Sequence, residues 1–181
     1  MFYTKEELKK IGFKSIGDNV LISDKASIYG AKNIEIGSNV RIDDFCILSA
    51  GDGGIKIGNY VHIACYAHLI GSGEVIVEDH SQISGKVSIY SSSDDFSGDY
   101  LVGPTVPKEF TNVKSKRVHL KKYVVLGCNV VVLPGVTIEE GTAVGALSLV
   151  SKDLLGYKIY GGNPIKILKD RSTKMLNYDL Q

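Results

Sequence analysis

From Ile16 onward, an aliphatic residue returns every six positions, with small offsets between groups of three. The groups of three are Ile16, Ile22, Ile28; Ile36, Ile42, Leu48; Ile57, Ile63, Leu69; and Val77, Ile83, Ile89. After an interruption the series resumes as Leu120, Leu126 and Val132, then Ile138 and Val144. Four residues after most of these positions the side chain is small, as at Val20, Ala26, Cys46, Ala67, Ser81, Thr142 and Ser148. Lys32 and Asp52 are the exceptions, both where the repeat is stretched. A period of six is neither the 3.6 of an amphipathic helix nor the alternation of a lone strand. It predicts a short strand, then a corner, repeated, with both marked positions pointing inward. Three such segments close one triangular coil. A single coil cannot bury its own apolar side, so about six coils stack their aliphatic residues into a continuous ladder.

The prediction is an all-β fold in one domain, residues 1–181: a parallel β-helix of hexapeptide repeats over 16–93 and 118–155, with three appendages. Residues 1–15 form an N-terminal cap in which 4–10 (TKEELKK) read as a short amphipathic helix over the open first coil. Residues 94–117 are one long excursion loop, a length that is uncommon without a functional reason. Residues 156–181 form a C-terminal segment, with 164–178 read as a helix opened by Pro164.

Lys and Arg total 21 against 20 for Asp and Glu, a formal charge of +1. This near-balance gives no broad electrostatic footprint for nucleic acid or an acidic membrane. No apolar run is long enough to span a bilayer, and MFYTKEELKK carries charges where a secretory signal needs an apolar stretch. Cys46, Cys65 and Cys128 form no CxxC pair, which points to reduced thiols used as small apolar fillers. The expectation is a cytoplasmic protein with no nucleic-acid partner and no membrane insertion.

The segments IGDNVL, IGSNVR, IGNYVH and LGCNVVVLPGVTI resemble the hexapeptide-repeat acyltransferases across residues 16–167. That resemblance implies a left-handed β-helix, a homotrimer with active sites between subunits, acetyl-CoA as co-substrate and no metal. Through VVLPGVTI, GALSLVSKDL and GGNPIKIL the chain is similar to galactoside and maltose acetyltransferases. This implies that Cys128, Gly145, Ala146, Ser151 and Lys152 lie along CoA, with Lys166 and Lys169 near its phosphates. Glycine at 127 and 145 leaves backbone approachable by a thin pantetheine arm, although a hexapeptide corner favours the same residue.

The sugar O-acetyltransferases of this family carry a catalytic His one strand before the long loop. Here the stretch is Ile89-Tyr90-Ser91-Ser92-Ser93-Asp94-Asp95, and Asp94 falls in that place. A carboxylate is a poor base for a sugar hydroxyl. A neutral amine is already nucleophilic and needs only a group that steadies the transient cation and relays its proton, work open to Asp94 or Asp95. The opening segment and IYSSSDDFSG resemble N-acetyltransferases of nucleotide-linked amino-dideoxy sugars of the viosamine type, which serve O-antigen and capsule synthesis. Tyr90, Ser93 and Asp95 are the expected acceptor contacts. His80 and His62 stand as alternative general bases. The basic cluster Lys114, Lys116, Arg117, Lys121 and Lys122 is a candidate for a diphosphate. Other readings are a sugar O-acetyltransferase, a structural β-helix, and a γ-carbonic-anhydrase-like zinc protein. The zinc reading needs histidines stacked on adjacent coils, and the position stacked on His62 is Gln82.

Overall fold

A computed structural model describes residues 1–178; positions 179–181 of the C-terminal segment lie outside it. The chain winds as a left-handed parallel β-helix with three sheet faces. The first face holds Ser15–Ile16, Ile34–Ile36, Ile55–Ile57, Val75–Val77, Val118–Leu120 and Thr137–Ile138. The second runs from Leu21–Ile22 through His62–Ile63 and Gln82–Ile83 to Ala143–Val144, then Lys158–Gly161 and Lys166–Asp170. The third runs from Ser27–Tyr29 through Ser88–Tyr90 and Val131–Val132 to Leu149–Val150.

The hexapeptide aliphatics stack in register. Ile16, Ile36, Ile57, Val77, Leu120 and Ile138 are direct partners on the first face, so the ladder crosses the excursion without slipping. Ile22, Ile42, Ile63, Ile83, Leu126 and Val144 do the same on the second. Both ladders are buried apart from the half-buried Ile16, as are the small residues four positions on, including Ser81, Thr142 and Ser148. These polar fillers each bond a backbone carbonyl, as Ser148 Oγ does to Gly145 O at 2.7 Å; without such partners they would destabilise a dry core.

Both ends of the coil are covered. Residues Lys5–Ile11 form the N-terminal helix, capped by Thr4 and Glu7 in a reciprocal box, stopped by Gly12 in a left-handed conformation, and buried through Leu8. At the other end the expected C-terminal helix does not form. Lys166–Asp170 is a strand antiparallel to Lys158–Gly161, and only Lys174–Asn177 makes a short 3-10 turn. The last coil leaves a row of unpaired backbone groups, and pairing them outweighs the helical start that Pro164 allows. Arg171 pins the hairpin, its Nη1 donating to the carbonyls of Tyr123 (2.8 Å), Gly141 (3.0 Å) and Thr142 (3.3 Å).

Candidate active site

The excursion loop has a structured base. Ser92–Ser93 pairs antiparallel with Lys114–Ser115, with Ser93 opposite Lys114. The ribbon springs from the corner between the third and first faces, immediately after Tyr90. A cavity of about 510 Å³ opens there. Its lining combines polar residues, Tyr90, Ser92, Ser93 and Asp94, with apolar ones, Phe96, Val113, Leu133 and Pro134. Three of the residues singled out in the sequence, Tyr90, Ser93 and Asp94, therefore meet in one place.

The two neighbouring aspartates behave differently. Asp95 is buried and spent within the loop, accepting from Ser97 N at 2.8 Å, from the Ser97 hydroxyl, and from Asn112 Nδ2 at 3.4 Å. The Ser97 hydroxyl is the main cause holding its carboxyl below the ordinary value. Asp95, expected as an acceptor contact, thus has its carboxylate bonded within the loop. Asp94 is exposed at the cavity, and among the described residues its carboxylate accepts no hydrogen bond and joins no ion pair.

The basic cluster divides. Lys121 is held by Glu139 at 2.6 Å, and Lys122 lines a separate cleft on the first face. Lys114 faces Ser93 across the ribbon, and the stem of Lys116 lies against Gly135, next to the cavity residue Pro134. A Cβ at Gly135, whose φ is +90°, would sit 2.9 Å from Lys116 Cδ. Among the described residues neither Lys114 nor Lys116 pairs with a carboxylate, and each lies next to a residue that lines the cavity.

The histidines lie elsewhere on the chain. His62 is on the outer side of the second face, its Nε2 2.8 Å from Asp43 Oδ2, and Arg41 Nε donates to the other oxygen at 2.7 Å. Burial by itself would raise the Asp43 carboxyl, but these two donors hold it below the usual range. His80 occupies the corner between the first and second faces and stacks between Tyr60 and Tyr123, each ring centroid 5.0 Å away. Neither reaches Asp94 within one chain. Gln82 is the register partner of His62, as its place in the repeat required.

The residues assigned to CoA occupy two corners of the last coils. Ser151 and Lys152 are exposed one coil beyond Leu133 and Pro134, on the cavity's own corner. Cys128, Gly145 and Ala146 lie on the corner between the second and third faces, and exposed Lys166 and Lys169 lie on the terminal hairpin. Gly127 serves the stacking itself, since a Cβ there would meet Ala146 N at 2.6 Å. Cys65 and Cys128, expected as core fillers, are exposed at the corners; only Cys46 is buried. Val113, Leu133 and Pro134 were not singled out as acceptor contacts. The last two sit inside the VVLPGVTI segment, whose hexapeptide signal accounts for them without a ligand.

An Escherichia coli dTDP-4-amino-4,6-dideoxy-D-glucose acyltransferase is 51% identical over 180 residues, 99% of this chain and 94% of that protein. The chain belongs to the hexapeptide-repeat acyltransferase family. AntD, an N-acyltransferase from Bacillus cereus, superimposes with a TM-score of 0.92 at 49% identity, over 97% of this chain and 94% of that one. AntD has been solved as a point mutant with dTDP-4-amino-4,6-dideoxyglucose and coenzyme A, and also with dTDP and 3-hydroxybutyryl-CoA. A hexapeptide-repeat acetyltransferase from Vibrio cholerae, 20% identical with a TM-score of 0.67 over 93% of this chain, shares the fold. No family model matches the chain.

Proposed function

We propose that the protein transfers an acetyl group from acetyl-CoA to the amine of a nucleotide-linked 4-amino-4,6-dideoxy sugar, in O-antigen or capsule synthesis. The observation that carries the proposal is Asp94: an uncommitted carboxylate lining a cavity that is partly apolar, with two unpaired lysines next to lining residues. The similarity to the E. coli acyltransferase and to AntD supports the choice of acceptor.

The neutral amine attacks the thioester carbonyl, and the C–S bond breaks as the tetrahedral intermediate collapses. Asp94 accepts a hydrogen bond from the amine as it becomes cationic, then relays its proton toward the departing thiolate, so free CoA thiol and an amide leave. Tyr90 and Ser93 orient the ring through their hydroxyls. Lys114 and Lys116 neutralise the diphosphate as point charges. No covalent enzyme intermediate is needed.

The assembly belongs to the same proposal: a cytoplasmic homotrimer with sites between chains. On the first face the outward Glu35 and Lys56 form ion pairs with Lys14 and Glu74, as befits solvent. Those of the third face are Ser27, Ile47, His68, Ser88, Val131 and Leu149, with no Asp, Glu, Lys or Arg among them. A neighbouring chain on that face would bring the Cys128–Ala146 corner of one subunit toward the Ser151–Lys152 corner of the next, giving CoA one groove.

Release of free CoA thiol, followed with dTDP-4-amino-4,6-dideoxyglucose on one side and simple galactosides on the other, tests the acceptor. Turnover confined to the amino sugar is expected; turnover on galactosides alone would overturn the reading. In Asp94→Asn we expect kcat to fall about 10²-fold or more with CoA affinity kept. Retained kcat would remove the carboxylate from the proton path.

A further inference from the structure

Resting on that acceptor assignment, we infer that the apolar wall formed by Phe96, Val113 and Leu133 selects sugars whose C6 is a methyl group and disfavours those with a C6 hydroxyl. The cavity lining has one charged group, Asp94, together with serine and tyrosine hydroxyls, and its other side chains, Phe96, Val113, Leu133 and Pro134, have no group that donates or accepts a hydrogen bond. Phe96 follows Asp94 by two residues, and Val113 precedes Lys114, the partner of Ser93, so apolar lining residues adjoin Asp94 and Ser93 at the ribbon.

A 4-amino-4,6-dideoxy pyranose presents the same pairing of groups. Its amine is on C4, its methyl on the adjacent C5, and the two emerge side by side from one edge of the ring. A carboxylate that takes the amine therefore places the methyl on the neighbouring surface, which here is apolar. A hydroxymethyl group in that position would bring a hydroxyl against phenyl, isopropyl and isobutyl groups and lose its bonds to water without replacement. Phe96 is 93% exposed and Val113 51% exposed, so both have surface left to cover with a ligand.

A hydrophobic pocket facing an added hydroxyl discriminates by about 10- to 100-fold in kcat/KM. The experiment compares dTDP-4-amino-4,6-dideoxyglucose with its 6-hydroxy counterpart, dTDP-4-amino-4-deoxyglucose, in the wild-type enzyme, Val113→Asn and Leu133→Gln. The wild type should prefer the deoxy sugar within that range, and at least one variant should narrow the ratio several-fold. A ratio of two specificity constants is independent of how much of a variant is folded, so partial misfolding does not blur the result. A wild-type ratio below about threefold, or a ratio unchanged in both variants, overturns the inference. No turnover with either sugar would instead sink the acceptor assignment and this inference with it.

Discussion

At Asp43 two donors, His62 Nε2 and Arg41 Nε, converge on one carboxylate on the outer side of the second face. Their bonds outweigh burial and hold its carboxyl below the ordinary value. A depressed carboxyl stabilises the fold above its unfolded pKa, about 3.9, and that contribution is lost as pH falls through the lower folded value. Asp43→Asn should therefore be less stable than wild type at pH 7 by about 1 kcal/mol. The deficit should shrink below about pH 3.9, as urea denaturation at several pH values would show. A deficit that stayed constant from neutral pH to acid would disprove the ionic account. At this scale the sequence was informative about residue type and poor about partners. His62 stood out as a possible base, but nothing local revealed that Asp43, one coil earlier, holds it. Asp94 and Asp95 are adjacent and chemically identical in the sequence. Only the fold of the loop commits Asp95 to Ser97 and Asn112 and leaves Asp94 open.

The elements are strands of two to five residues, too short to persist alone, and each depends on the coils above and below. Leu126 illustrates this, buried between Ile83 and Val144 in the second-face ladder. The terminal hairpin depends on Arg171 instead. Its guanidinium bonds the carbonyls of two successive corners, and burial lowers its affinity for the proton without discharging it. Removing it in Arg171→Ala takes away the bonds to the Tyr123 and Gly141 carbonyls, while the Thr142 carbonyl keeps Val125 N at 2.9 Å, and should cost about 1–3 kcal/mol. We expect the loss as faster amide exchange across 158–170, with the earlier coils protected. Uniform loss of protection along the chain would show that the hairpin is not a separate latch.

For the whole molecule, the outward residues of the three faces differ more than their cores do. A first face whose outward Glu35 and Lys56 are ion-paired and a third face without formal charge suit a prism that meets its copies on one side and water on the other. In solution the chain should sediment at three times its 19.6 kDa mass. Ile47→Lys, which puts a charge on the third face without touching the inner ladder, should shift the assembly toward single chains and remove turnover with it. A monomeric wild type with full activity would contradict sites shared between chains.

The sequence by itself determined the coil, because the hexapeptide spacing is covalent. Once an inward aliphatic returns every six residues, the stacking partner of each is set by the number of residues in one turn, and the Val77–Leu120 pair keeps that register even across the excursion. The tertiary structure decided what lay outside the period. The pairing of Ser93 with Lys114 joins the two ends of an aperiodic loop, and it brings Asp94, Phe96 and Val113 to the cavity at the coil residues Leu133 and Pro134. The C-terminal strand was likewise decided from outside its own sequence. IKILKD carries no strong preference, and the unpaired edge of the last coil, a feature of the assembled helix, selects the extended form.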